Sequence, residues 1–193
     1  MNKLILFIIY SLFIALFVNA EDNIDANWMK YISNNLYINQ INIPGTHDSG
    51  TLNIGNYRND IFDFPIDAVI SEFGQTQDLD IREQLEHGIR YLDIRITIKN
   101  KNDILYITHN GVKCLKPIHL NPSSNINTLL YLSDVFDLCI SFLNKHPTET
   151  IIIHLKCDAV PEELGKDNKY KIIKEKVESY CKDIKYIFKL FNN

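Results

Sequence analysis

The chain has 193 residues, 46% of them hydrophobic and 23% charged, which suits one globular domain with a real core and excludes a large multidomain arrangement. A formal net charge of -4, with no dense Lys/Arg run, excludes a general attraction to nucleic acid. With 7 glycines and 6 prolines, neither a disordered chain nor a repeat fibre is expected.

In chain order, the first segment reads as a leader. Met1-Asn2-Lys3 supplies a short basic start, Leu4 to Val18 is almost wholly apolar, and Val18-Asn19-Ala20 precedes the acidic Glu21-Asp22. This layout predicts a secretory signal peptide over residues 1–20, cut after Ala20, since the apolar run is shorter than the ~20 residues of a membrane span. The mature domain is then residues 21–193, and the protein is expected to be secreted. Cys114, Cys139, Cys157 and Cys181 all lie in it, and an oxidising compartment would allow them about three pairings. Buried thiols are the alternative, above all for Cys139, which shares an apolar helical face with Val135, Phe136 and Phe142. The cysteines have no Cys-x-x-Cys spacing that would indicate zinc or a thioredoxin-like motif.

Ile24 to Leu36 predicts a short helix with Trp28, Met29 and Ile32 as its apolar face. Ile38 to Pro44 predicts a strand running into the loop Gly45-Thr46-His47-Asp48-Ser49-Gly50. Thr51 to Gln77 has no clean period and reads as a long surface loop with a short helical turn. Asp80 to His87 predicts a short helix ending at Gly88, and Ile89 to Lys99 a strand. Asp103 to His109 is a further strand after the polar Asn100-Lys101-Asn102 turn. Leu129 to Leu143 predicts a helix capped near Asn125 or Asn127 and stopped by His146-Pro147. Glu149 to Lys156 is a β-branched strand, Lys169 to Lys182 an amphipathic helix, and Ile184 to Phe191 an apolar tail. Nearly continuous apolar strands with helices between some of them predict a parallel α/β sheet.

Alternation along a strand puts Tyr91, Asp93 and Arg95 on one face, Leu105, Ile107 and His109 on another, and Ile152, His154 and Lys156 on a third. His47 and Asp48 directly follow the first strand. Taken singly, each polar residue has an ordinary explanation: a solvated loop histidine at 47, a backbone-satisfied strand end at 109, a structural ion pair between Asp93 and Arg95, a snorkelling Lys156. Together they fall at or near the C-terminal ends of four strands, where a (β/α)8 barrel places its active site.

Ile43-Pro-Gly-Thr-His-Asp-Ser-Gly-Thr51 resembles the signature of the phosphatidylinositol-specific phospholipases C of bacterial type, the X-domain family. Asn27-Trp28-Met29 resembles that family's N-terminal helix. Gln84-Leu85 with Gly88-Ile-Arg-Tyr-Leu-Asp-Ile-Arg95 resembles its second strand, Tyr106-Ile-Thr-His109 its third and Phe142 to Lys156 its fourth. The match runs from about residue 27 to 157, with the motifs in the family's order.

The resemblance implies a TIM-like (β/α) barrel of the PLC-like phosphodiesterase type. It implies cleavage of phosphatidylinositol, or of a glycosylphosphatidylinositol anchor, to diacylglycerol and inositol 1,2-cyclic phosphate. His47 would be the general base and His109 the general acid, a pairing that suits a side chain with a reference pKa of ~6.5. Arg95 would stabilise charge on the phosphoryl oxygens, Asp48 would assist proton transfer, Asp93 would orient Arg95 and His109, and Lys156 would touch the head group. Signalling members of the family hold calcium with an acidic pair where this chain has Asp93-Ile94-Arg95. A guanidinium there would repel the ion, so neither a metal nor any other cofactor is expected. Contact with the membrane would be peripheral, with Leu52, Ile54, Tyr57, Ile61, Phe62 and Phe64 as candidates, packing of these side chains onto the barrel exterior being the alternative.

The chain departs from the family in extent. The family barrel needs eight strand–helix units and ~250 residues, so only the N-terminal half to two-thirds of a barrel is expected here. The family's later elements supply the aspartate that orients the general base, and an arginine, an aspartate and an aromatic residue for the inositol ring. Asp158 and Asp183 lack the spacing for those roles. Half a barrel leaves unpaired sheet edges, so a fragment is expected, with a dimerising half-barrel or an inactive relic as alternatives. Two rival functions follow: an inactive secreted inositol-lipid binder, and a glycerophosphodiester phosphodiesterase, whose His-Arg-Gly start and metal-binding Glu-x-Asp pair are not present.

Overall fold

Strand β2 (Tyr91–Ile98) is the centre of a five-stranded sheet, with Leu92, Ile94 and Ile96 fully buried on one face and Tyr91, Asp93 and Arg95 alternating on the other. The structure, a computed structural model, describes residues 25–55, 74–98, 104–117, 128–159 and 165–182. The leader, most of the long loop (with Tyr57, Ile61, Phe62 and Phe64), the Asn125 and Asn127 caps and the apolar tail lie outside the described residues.

Strand β1 (Gly45–Thr46) runs parallel to the start of β2, with Gly45 opposite Tyr91. On the other flank β5 (Ile152–Ala159) is parallel along nearly all of β2, pairing Tyr91 with Ile152, Asp93 with His154 and Arg95 with Lys156. The parallel expectation therefore holds for these three strands. It does not hold for β3 (Leu105–His109), which pairs antiparallel with β2, Ile96 opposite Ile107. The Ile98-to-Leu105 connection is too short for a parallel crossover, which needs a dozen or more residues. Strand β4 (Val112–Lys113) then folds back on β3 through Asn110 (φ 50) and Gly111 (φ 85), the two positive-φ residues of a tight hairpin.

The helices cover the apolar face. Helix α1 (Ile81–Glu86) begins at a reciprocal cap: the Asp80 carboxylate accepts from Glu83 N at 2.8 Å and the Glu83 carboxylate from Asp80 N at 2.9 Å. Helix α2 (Leu132–Lys145) buries Leu132, Val135, Phe136, Cys139 and Phe142, a stripe at helical spacing. It starts three residues later than its pattern suggests, because Leu129 and Tyr131 are held in bridges to Leu115 and Tyr106. Helix α3 (Gly165–Tyr180) packs Ile172, Ile173 and Val177 into the same core and stacks Tyr180 on Phe136 at 5.4 Å.

Two N-terminal expectations are corrected. Asp25–Tyr31 is a 3-10 helix with a break at Asn27, and Ile38–Gln40 is a 3-10 turn, so the strand expected over Ile38 to Pro44 does not form and the strand residues are instead Gly45–Thr46, at the start of the expected loop. Underneath, Arg90 is fully buried against Glu149 (Nη2–Oε2 2.9 Å) and donates to the carbonyls of Leu85, Ala26 and Ile89. This guanidinium fastens the N-terminal segment, α1 and the entry to β5 together. Cys114, Cys139 and Cys181 are buried and Cys157 is half-buried, and no disulfide joins them. Among the described residues no helix is long and apolar enough to cross a membrane.

Candidate active site

The Gly45–Gly50 loop is strapped to β2 through Ser49. Ser49 N donates to Asp93 O at 2.8 Å and Ser49 Oγ accepts from Asp93 N at 3.0 Å. Gly45 and Gly50 permit this approach: a Cβ on the first would stand 2.9 Å from Tyr91 Cβ, and on the second 2.6 Å from Ile107 Cγ2. Buried Gln84 closes the loop from below, donating to Ser49 O at 2.9 Å and accepting from Thr46 Oγ1 at 2.7 Å. Asp48 is left-handed (φ 48), a conformation aspartate tolerates and one concentrated at functional sites. It turns the Asp48 carboxylate inward, where it is buried, and leaves His47 exposed.

Three of the expected residues, His47, His109 and Arg95, meet around that carboxylate. Its Oδ2 lies 3.1 Å from His47 Nε2 and 3.2 Å from His109 Nε2, and its Oδ1 pairs with Arg95 Nε. Arg95 Nη2 is also 3.3 Å from His47 Nε2. An ionised aspartate held by a guanidinium and flanked by two imidazoles keeps a dense, orderly charge pattern in a partly dry site. His109 Nδ1 donates to Gly74 O at 2.9 Å, which settles that nitrogen's proton.

Asp93 is placed differently from expectation. Its Oδ2 is 2.9 Å from His47 Nδ1 and 3.8 Å from Arg95 Nη2, and its Oδ1 is 3.4 Å from His154 Nδ1. It therefore serves the His47 side of the site, while the carboxylate beside His109 is Asp48. Lys156 sits across from Arg95 on β5, exposed, with Nζ 3.9 Å from Asp158 Oδ1.

Several participants were not singled out by sequence. Gln77 and Thr76 donate to the His47 carbonyl at 2.6 and 3.1 Å. Asp158 accepts from Asn110 N at 3.1 Å and so anchors the turn that carries His109. The available signal was Asn110-Gly111, a two-residue hairpin pair that marks His109 as the last residue before a reversal. His154 could have been read from its place among Ile152, Ile153 and Leu155, a lone imidazole on an apolar strand.

Donor atoms of His47, Asp48 and Asp93 come within 4.8 Å of one another, as a cation site requires. Arg95 stands among them, in contact with all three, so a divalent ion would have to displace a guanidinium. A calcium ion also takes six to eight oxygens, more than these groups offer. The residues do not fit a metal.

A mixed α/β sheet, parallel at β1, β2 and β5, with two histidines, two aspartates and an arginine gathered at one edge fits part of a barrel of the phospholipase C-like fold. The comparisons agree. The chain is 36% identical over 129 residues to the 1-phosphatidylinositol phosphodiesterase of Listeria monocytogenes, covering 67% of this chain and 32% of that protein. It is 30% identical over 132 residues to the Staphylococcus aureus protein of the same name (strain Newman; 68% and 34% covered). It is 26% identical over 147 residues to human PI-PLC X domain-containing protein 1 (68% and 42% covered). In three dimensions it resembles the phosphatidylinositol-specific phospholipase C of L. monocytogenes (TM-score 0.57, 27% identity, 82% and 46% covered). The S. aureus phospholipase C has the same fold (TM-score 0.62, 22% identity, 87% and 47% covered). No protein-family model matches the chain. The chain's curated homologues are thus bacterial 1-phosphatidylinositol phosphodiesterases and PI-PLC X domain proteins, and its structural neighbours are bacterial phosphatidylinositol-specific phospholipases C. It spans about a third of the length of the bacterial relatives it matches.

Proposed function

We propose that this chain carries the acid–base centre of a secreted phospholipase C that cleaves phosphatidylinositol, or a glycosylphosphatidylinositol lipid, without a metal. The observation that carries the reading is the position of Asp48 Oδ2, about equally far from His47 Nε2 and His109 Nε2. Two imidazoles that approach one buried carboxylate, itself paired with a guanidinium, suit in-line displacement at phosphorus.

In the first step the inositol 2-hydroxyl attacks phosphorus and its proton passes to Nε2 of His47. The bond from phosphorus to the diacylglycerol oxygen breaks, and that oxygen takes a proton from Nε2 of His109. The products are diacylglycerol and inositol 1,2-cyclic phosphate. Water can then open the ring with the two roles exchanged. His109 suits the acid role because both its nitrogens face oxygen acceptors, Gly74 O and Asp48 Oδ2. Once its proton leaves, Nε2 can accept from Asn110 Nδ2, 3.2 Å away. Arg95 meets the charge that grows on the non-bridging oxygens, where a planar guanidinium offers two donors at once. Lys156, exposed beside Arg95, would contact the head group. Binding to the lipid surface would be peripheral, as no described helix spans a bilayer.

The test separates base from acid by leaving group. With phosphatidylinositol in mixed micelles, His47→Ala and His109→Ala should each lower kcat by ~10²–10⁴-fold. With an aryl inositol phosphate, whose leaving group needs no proton, His109→Ala should recover most of its rate and His47→Ala should not. Equal losses on both substrates would contradict the assignment. An inactive but folded parent that binds inositol phosphate would point to a pseudoenzyme.

A further inference from the structure

We propose that Asp158 and Asn110 together position the general acid. A bulge in β5 presents the Asp158 carboxylate to the Asn110 backbone, and the Asn110 side chain is thereby held at His109 Nε2. The proposal rests on the reading of His109 as general acid, and it adds two positioning residues to that side of the site.

A general acid must aim one N–H at the leaving oxygen, and a misplacement of ~1 Å removes much of its effect. His109 is the last residue of β3, so its direction depends on the turn that follows. That turn is Asn110-Gly111, both residues at positive φ, and β4 beyond it is only Val112–Lys113. Packing does not hold the turn at Gly111, where a Cβ would meet nothing within 4 Å. Among the described residues no ladder bond joins the turn to β5, because β2 lies between β3 and β5. Asp158 makes that connection: its Oδ2 accepts from Asn110 N at 3.1 Å.

Asp158 is free to do so because β5 is irregular there. Cys157 pairs with Ile96 and Ala159 with Thr97, which leaves Asp158 as an extra residue in the ladder. Such bulges re-aim a side chain and concentrate beside active sites. The Asp158 side chain is 8% exposed, whereas that of Lys156 on the same strand is 54% exposed. A carboxylate so far withdrawn from water needs partners. Asn110 N meets Oδ2, and Lys156 Nζ stands 3.9 Å from Oδ1. At its other end Asn110 places Nδ2 3.2 Å from His109 Nε2, a donor that the ring accepts once its proton has left. Gly74 O holds the opposite ring nitrogen. Asp158 therefore acts on His109 through one backbone amide and one side-chain amide, and none of these contacts includes His47.

Three variants test this. Asp158→Ala removes the acceptor, Asp158→Asn keeps an oxygen opposite Asn110 N, and Asn110→Gly keeps the left-handed turn without the side-chain amide. On phosphatidylinositol, Asp158→Ala and Asn110→Gly should each lower kcat ~10-fold with KM changed less than twofold, and Asp158→Asn should recover most of the loss. On an aryl inositol phosphate, whose leaving group needs no proton, the loss should largely disappear. Equal losses on both substrates would show a general loosening of the fold and overturn the proposal. Spectra of 15N-labelled chain give a readout that needs no turnover. Asp158→Ala should move the Asn110 amide and the His109 ring nitrogens and leave those of His47 in place; should that variant not fold, Asn110→Gly should move the His109 ring nitrogens in the same selective way. His109 ring signals indifferent to both changes would also overturn the proposal. Signals that follow Asp158 in a chain that turns over no lipid would support the positioning role and refute the catalytic reading instead.

Discussion

His109 Nε2 lies 3.2 Å from Asp48 Oδ2, an oxygen that is fully buried and also faces His47. The negative charge of Asp48, rather than its shape, is what this position contributes. Asn accepts the same left-handed backbone, so Asp48→Asn isolates the charge. We predict a kcat loss of ~10²–10³-fold with the fold retained. Because the three groups act as one unit, adding His109→Ala to it should cost far less than the product of the two losses, as kinetics on the double variant would show.

The Arg90–Glu149 pair has no part in the chemistry and should dominate stability. Both side chains are inaccessible to solvent, and the guanidinium also lies 4.6 Å from the Phe142 ring centre. Removing one partner leaves a buried charge unpaired. Glu149→Ala or Arg90→Ala should each lower unfolding stability by ~3–5 kcal/mol, and the double variant should lose much less than the sum. Chemical denaturation of the four proteins measures this.

Gly50 is a packing requirement. An added methyl would stand 2.6 Å from Cγ2 of buried Ile107, closer than any relaxed contact. Gly50→Ala should cost ~1–3 kcal/mol and, by pushing the loop outward, lower turnover as well. A thermal melt beside an activity assay would show both effects together.

Cys114 and Cys139 set the alkaline behaviour. Burial pushes each thiol up to about 12, and for Cys114 the negative charges of Asp48 and Asp158 add to the effect. A folded value above the unfolded one gives stability that is present below the unfolded pKa, near 9.0, and is lost as pH rises toward 12. The loss should be ~1.4 kcal/mol per pH unit for each thiol over that window. Cys139→Val should flatten the decline between pH 9 and 11 in denaturation curves, and both thiols should resist alkylation in the folded protein at neutral pH.

Much of this was legible in the chain. Leu132, Val135, Phe136, Cys139 and Phe142 show their helical stripe directly, and the alternation of Tyr91, Asp93 and Arg95 against Leu92 and Ile94 is the polar and apolar face of β2. Register was the harder part. Periodicity reports which face a residue takes but not which way a strand runs, so the β2–β3 pairing needed the length of its connection and the β3–β4 hairpin the Asn110-Gly111 pair. Asp93 illustrates the same limit, since its contact with His47 depends on where a loop far earlier in the chain comes to lie. Nothing local in the sequence marks Arg90 as buried, because its partner, Glu149, is 59 residues away.

The most direct test of the account is the product formed from phosphatidylinositol in EDTA, followed by 31P NMR. The account predicts inositol 1,2-cyclic phosphate as the first signal, undiminished by the chelator and abolished in His47→Ala. Loss of turnover in EDTA, or inositol 1-phosphate appearing without a cyclic intermediate, would contradict a metal-free attack by the 2-hydroxyl.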